Sequence, residues 1–211
     1  MPKIVCLSDT HNYHERVRVP EGDVLIHAGD ATGRGTLDEI VSFNRWFAAL
    51  PHRHKIFVAG NHDWLFETSS VFARKLLDSS IFYLQDSFVE IENLKIYGSP
   101  WQPRFYDWAF NLTRGAELAE KWKLIPEDTD VLITHGPPHG ILDEVPRQYF
   151  VENTGCEDLR KRVEIIKPKL HVFGHIHCRY GQTEKFGVKF VNASNCDEEY
   201  NPRNAPIQIE L

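Results

Sequence analysis

A chain of 211 residues, 42% hydrophobic and 26% charged, is long enough for one sizeable core and has an ordinary globular mixture, so a single domain over residues 1–211 is expected. Its formal charge of −6 excludes long nucleic acid as an expected partner, because an electrostatic grip on a polyanion draws on clustered Lys and Arg that displace counterions. No apolar run approaches the ~20 residues that span a bilayer, a first strand at Lys3 leaves no room for a leader peptide, and the four cysteines form no CxxC pair, so a soluble, cytoplasmic protein without membrane contact, disulfide framework or zinc finger is expected.

In chain order, KIVCLSD is an apolar, β-branched run that stops at Asp9, with His11 two residues on. DVLIHAGD repeats the form and stops at Asp30, and residues 35 to 50, with apolar side chains every three or four positions, predict a helix. HKIFVAGN ends at Asn61, followed by His62 and Asp63, and a second helix is predicted over 68 to 78. IFYLQDSFVEIENLKIYGS pairs two strand signals around ENLK and predicts an antiparallel hairpin. PWQPRFYDWAFNLTRG, dense in aromatics and prolines, predicts an ordered loop, a class of segment that often carries function. Helices over 114 to 123 and 156 to 167 flank the strand DVLITHG, which stops at His135. KLHVFGH stops at His175, with His177 two residues on, and QTEKFGVKFVNAS predicts a last hairpin. Strands alternating with helices imply a layered α/β fold, and the hairpins imply mixed sheets.

Each strand end therefore carries a metal-ligand type or a proton carrier. Side chains two apart in extended chain project the same way, so Asp9 with His11, and His175 with His177, each form a pincer. A lone histidine after an apolar run is usually structural, but five such termini in a chain whose parallel strands gather their carboxyl ends at one edge point to a metal site. Imidazole, carboxylate and amide oxygen without thiolate suit Mn, Fe, Zn or Co better than Mg or Ca.

The order D-x-H, GD, GNHD, HG, GHxH from Asp9 to His177 resembles the calcineurin-like metallophosphoesterase superfamily. HAGD, FNRWFAALP, AGNHD, YLQDS, IYGSPWQPRF, FNLTRG, LIPEDTDVLITHGPP and PKLHVFGHIH are similar to its small subfamily of vertebrate brain metallophosphoesterase-domain proteins. The resemblance implies a four-layer α/β/β/α sandwich of two mixed sheets and a dinuclear centre, so two divalent transition metals per chain are expected, with Mn preferred among Mn, Fe, Zn and Co. Asp9, His11 and His177 would hold one metal, Asn61, His135 and His175 the other, and Asp30 would bridge both. Some vertebrate members carry glycine where this chain has His175, so a full two-metal site is expected here. Two cations ~3.5–4 Å apart share and ionise a hydroxide for attack on phosphorus. His62, next to a ligand but free, is then the natural general acid, and Asp63 either orients its ring or shapes the loop.

The expected function is hydrolysis of small phosphodiesters, with cyclic nucleotides suggested by the resemblance. The alternative is a nucleotide-binding scaffold or sensor with low turnover, against which the intact His175 argues. Arg34, Arg104, Arg114 and Arg179 are candidates for phosphate contacts, with Arg34 and Arg179 preferred for their closeness to Asp30 and His177. His139, four residues past His135, and Trp101 or another ring of the aromatic loop are candidates for substrate contact. His27 and His171 are expected to be buried and hydrogen-bonded, His52 and His54 solvated.

Overall fold

The computed structural model describes all 211 residues. In its first sheet β1 (Lys3–Leu7), β2 (Val24–His27), β3 (His54–Phe57) and β4 (Ile81–Tyr83) run parallel, and the last strand, β15 (Ile207–Glu210), lies antiparallel beside β1. The second sheet contains β5 (Ser87–Ile91), β6 (Leu94–Ser99), β9 (Val131–Thr134), β12 (Leu170–Phe173), β13 (Gly181–Lys185) and β14 (Val188–Asn192). Its order is β13-β14-β12-β9-β6-β5, with the four middle strands parallel and the two edge strands antiparallel to their neighbours.

The parallel strands read as unbroken apolar runs because both faces are covered. In β1 the residues alternate between two cores: Ile4 and Cys6 pack between the sheets with Ile133 and Val172, while Val5 and Leu7 face outward. Outside the first sheet, α1 (Leu37–Ala49) supplies Ile40, Phe43 and Phe47, and α2 (Trp64–Thr68) and α3 (Ser70–Lys75) supply Phe66 and Ala73. Outside the second, α4 (Ala116–Lys123) and α5 (Glu157–Ile166) bury Leu118, Trp122, Leu159 and Val163 against Leu132, Phe173 and Phe190. The result is the expected helix, sheet, sheet, helix stack. A capping box between Thr36 and Glu39 starts α1, one residue inside the predicted segment.

Four local expectations are corrected. The helix predicted over 68 to 78 begins earlier and breaks at Ser69, whose φ of −145° and ψ of 50° lie outside the helical region. Ile81–Tyr83 leaves the predicted hairpin to become β4 of the first sheet, and the hairpin itself is β5 with β6. The aromatic loop contains a short parallel pairing of β7 (Gln102–Pro103) with β8 (Asn111–Leu112). A small antiparallel ribbon, β10 (Glu144–Pro146) with β11 (Val151–Asn153), stands apart from both sheets. His52 is buried rather than solvated, its Nε2–H donating to the Pro20 carbonyl at 2.9 Å. No helix is long and apolar enough to cross a membrane.

Candidate metal centre

The carboxyl ends of the two sheets meet where a bridge pairs Ser8, just past β1, with Ser194, just past β14. Asp9 and His11 leave β1 at this seam, Asp30 follows β2, and Asn61 and His62 follow β3. His135 follows β9 in the other sheet, and His175 and His177 follow β12. Parallel topology thus carries seven donors, dispersed in sequence, to one edge. Four sit in the left-handed backbone region: Asp9 (φ 52°), His11 (φ 40°), Asp30 (φ 53°) and His175 (φ 68°). Non-glycine residues there are costly, and they cluster where surrounding structure forces them to aim a side chain. Two glycines make room. A Cβ on Gly174 would meet Asp9 Oδ2 at 2.0 Å, and one on Gly60 would meet Asp30 Oδ1 at 2.3 Å.

The donors form two contiguous sets. In the first, His177 Nε2 lies 3.5 Å from Asp9 Oδ1 and 3.2 Å from His11 Nε2. In the second, His135 Nε2 lies 2.9 Å from Asn61 Oδ1 and 3.3 Å from Asp30 Oδ2, with His175 within the same group. Asp30 Oδ2 is also 3.8 Å from His11 Nε2, so one carboxylate faces both sets. Ring tautomers follow from the far nitrogens. His177 Nδ1 faces the Asp197 carbonyl at 2.9 Å and His135 Nδ1 the Ala28 carbonyl at 3.0 Å. A carbonyl only accepts, so each Nδ1 carries a proton, and whenever the ring is neutral its Nε2 presents a bare lone pair inward. With the Asn61 oxygen turned inward, His135 Nε2 then meets two oxygens that also only accept. With the rings neutral, such a set of converging buried acceptors is what a divalent cation fits.

The electrostatics reflect this crowding. Burial works to raise Asp9, but the hydrogen bond and charge of His177 hold it well below the ordinary carboxylate range. Asp30 is likewise held low against burial, by His135. Asp30 in turn outweighs burial to push His135 up to about 9, which supplies a proton to the acceptor cluster in the metal-free protein. Burial depresses His11 to about 4 and His175 to about 3, keeping both neutral as ligands must be.

His62 lies at the rim of the centre, its Nε2 4.0 Å from Asp30 Oδ2 and its Nδ1–H directed to the Gly33 carbonyl at 2.7 Å. Of the two roles open to Asp63, its hydrogen bonds are those of a loop-shaping residue. It accepts from the backbone N–H of Gly60 at 2.8 Å and of Thr32 at 3.0 Å, and from the Thr32 hydroxyl at 2.7 Å, with no bond to the His62 ring. Burial and then the Asp30 charge push its carboxyl up to about 6.

A cavity of about 450 Å³ opens beside the centre, bordered by Asp30, Asn61, His62, His175 and His177. Its arginines are Arg104, Arg114 and Arg147, so the preference for Arg34 and Arg179 is corrected. Arg34 is exposed away from the cavity, its backbone N–H donating to Glu39, and Arg179 is tied to the Glu144 carboxylate at 2.8 Å. Trp101 turns away to donate to Asp86 at 2.8 Å beneath Lys121, and Phe105 borders the cavity instead. His139 also stands off the cavity wall, its carbonyl held by Arg160. Sequence reasoning missed Tyr200, which packs edge-on against His11 at 4.8 Å and lies 5.3 Å from His177. It lies in an irregular segment with no periodic signal, and its place depends on the Asp197 carbonyl that caps His177. His27 and His171 are buried and hydrogen-bonded to Thr10 and Thr134, as expected.

Comparison with known proteins places this geometry in context. The calcineurin-like phosphoesterase family matches residues 2–179. Metallophosphoesterase domain-containing protein 1 of Homo sapiens is 44% identical over 234 aligned residues, covering 99% of this chain and 71% of that protein. A UPF0046 protein of Caenorhabditis elegans is 40% identical over 218, covering 97% and 73%. Among solved structures, TT1561 of Thermus thermophilus superposes with a TM-score of 0.59 at 13% identity over 91% of this chain and 88% of that one, a likeness of fold alone.

Proposed function

The chain belongs to the calcineurin-like phosphoesterase family and is a metal-dependent phosphoester hydrolase, and from that premise we propose that it cleaves small phosphodiesters, cyclic nucleotides foremost, at a centre of two divalent transition metals, with Mn preferred. Asp9, His11 and His177 are assigned to one cation, Asn61, His135 and His175 to the other, and Asp30 to both. The observation that carries this reading is the approach of His135 Nε2 to Asn61 Oδ1 at 2.9 Å and Asp30 Oδ2 at 3.3 Å, three groups that each offer a lone pair to a cation once it displaces the His135 proton. The cavity of about 450 Å³ supports a substrate of nucleotide size, within the range of small-molecule sites.

When bound, two cations would activate water and neutralise the phosphoryl oxygens. The remaining work falls to the chain. Protonated His62 holds one proton on Nδ1 against Gly33 and delivers the other from Nε2 to the leaving alkoxide. Its ring stacks on Trp108 with centroids 4.1 Å apart, which fixes the plane in which Nε2 points. Asp63 fixes the turn that carries Asn61 and His62 by gathering the Gly60 and Thr32 amides. The free thiols Cys6, Cys156, Cys178 and Cys196 support a reducing, cytoplasmic location for this single domain.

The test is metal analysis of the purified protein, then assay with Mn against cyclic nucleotides, nucleoside monophosphates and aryl phosphate esters. Turnover of diesters but not monoesters is expected. Tight nucleotide binding without turnover would instead favour a scaffold or sensor.

A further inference from the structure

Arg114 sits just ahead of α4, outside the metal-centre donors, and borders the same cavity. Its guanidinium has five N–H donors. Nη1 commits both of its own, to the Gly155 carbonyl at 2.7 Å and to Glu157 Oε2 at 2.6 Å. Nη2 commits one, to the Thr154 carbonyl at 2.7 Å. The Nε–H and one Nη2–H are left over, and Nε and Nη2 share one edge of the planar group. That edge is the one that pairs with two oxygens of a phosphate or carboxylate at once. Three anchors already hold the guanidinium, so little side-chain freedom remains to be lost when an anion docks. Arg104 borders the cavity too, and its carboxylate neighbour Asp107 is fully exposed and 3.9 Å away. Arg147 differs, because Nε and Nη2 are both spent on Glu152, at 2.8 and 2.7 Å.

Resting on the phosphodiesterase reading, the geometry points to Arg114 as a specificity-determining residue that grips a second anionic group of the substrate, a phosphate or carboxylate on the ester arm away from the scissile bond. Arg104 adds positive charge to the same cavity. In a cavity that also carries Glu152 and Glu198, and with Glu157 already on Arg114, it is the uncommitted donors rather than net charge that orient an anionic arm.

The test uses p-nitrophenyl phosphodiesters that differ only in the second arm, ending in phosphate, carboxylate or neutral hydroxyl, assayed with Mn. The wild-type protein should prefer an anionic arm, and the better of the two names the group. Arg114→Lys and Arg114→Gln retain donors for the Thr154 and Gly155 carbonyls but lack the paired edge. In both, the kcat/KM advantage of the anionic arm over the neutral one should fall by roughly 10- to 100-fold, mostly through KM. An equal loss on all esters, or an unchanged ratio, overturns the assignment. Should the wild-type protein turn over no ester, the hydrolase reading fails by itself, and calorimetry of adenosine 3′,5′-bisphosphate against adenosine 5′-monophosphate decides the subsite. A bisphosphate preference lost in Arg114→Lys upholds it, and no preference overturns it.

Discussion

His62 lies nearly face to face with Trp108, ring centroids 4.1 Å apart and planes inclined by 25°, while its Nε2 is 4.0 Å from Asp30 Oδ2. The ring is therefore held by stacking and by its Gly33 hydrogen bond, close enough to His11 and Asp30 to group with them, and the proton-donor role requires that it stay free of metal. His62→Asn should leave metal content nearly intact and cut turnover by ~10²–10⁴ for esters with poor leaving groups. The loss should be much smaller for nitrophenyl esters, whose leaving group departs unprotonated. Equal losses on both substrate types would remove the proton-donor role.

The donor residues were legible because each stands directly after an apolar run, and parallel strands in layered sheets align those ends whatever the sequence distance. The residues that wall the cavity were not. Arg114 and Arg179 are both arginines close to a motif, and only tertiary pairing decides that Glu144 takes Nε and Nη2 of one while Thr154, Gly155 and Glu157 leave Nε of the other uncommitted. Ile81–Tyr83 carries the same strand signal whether it joins β3 or β5, and the neighbour is set by chain path rather than composition. His52 looked solvated among charged neighbours, but the Pro20 carbonyl, 32 positions away in sequence, buries it. The irregular stretch around Tyr200 has no periodicity to read, yet it caps His177 and packs on His11.

His171 gives the fold an acid limit. Thr134 Oγ1 spends its hydrogen on the Gly136 carbonyl at 2.7 Å, so it accepts from His171 Nε2–H at 2.9 Å. That leaves Nδ1 buried without a partner between Phe173 and Phe190. Burial pushes the ring down to about 3, against about 6.5 in the unfolded chain. The unfolded state therefore binds the proton first: stability is full above about pH 6.5 and is lost as pH falls toward 3, at up to about 1.4 kcal/mol per pH unit for this group. His171→Gln keeps a donor for Thr134 but cannot titrate. Urea unfolding between pH 6 and 4 should show a pH slope lower by up to one proton in the variant, and an unchanged slope would mean the ring charges within the fold.

Gly60 tests the close packing of the centre. An added methyl would sit 2.3 Å from Asp30 Oδ1, which accepts the His62 N–H at 2.7 Å, so the carboxylate and the turn carrying His62 must shift together. Gly60→Ala should cost about 1–3 kcal/mol, as overpacking does, and lower both metal content and turnover. Thermal denaturation and metal analysis check this, and a variant with wild-type metal content would show that the turn can yield without moving Asp30.

Asp30→Asn preserves size and the acceptor for the His62 N–H while removing the charge that faces His135 at 3.3 Å and His11 at 3.8 Å. In the metal-free protein that carboxylate is what holds the His135 proton, so its loss returns His135 toward the neutral form that burial favours. In the loaded protein it would remove the one anion common to both sets, leaving Asp9 as the sole carboxylate among the donors. Metal affinity should fall by more than the ~10–100-fold seen when a residue that only hydrogen-bonds a ligand is lost, with turnover falling alongside. Metal analysis after dialysis should find fewer than two ions per chain. If two ions remained, the attraction between His135 and Asp30 would be a feature of the metal-free protein alone, and the shared carboxylate would have to be sought elsewhere.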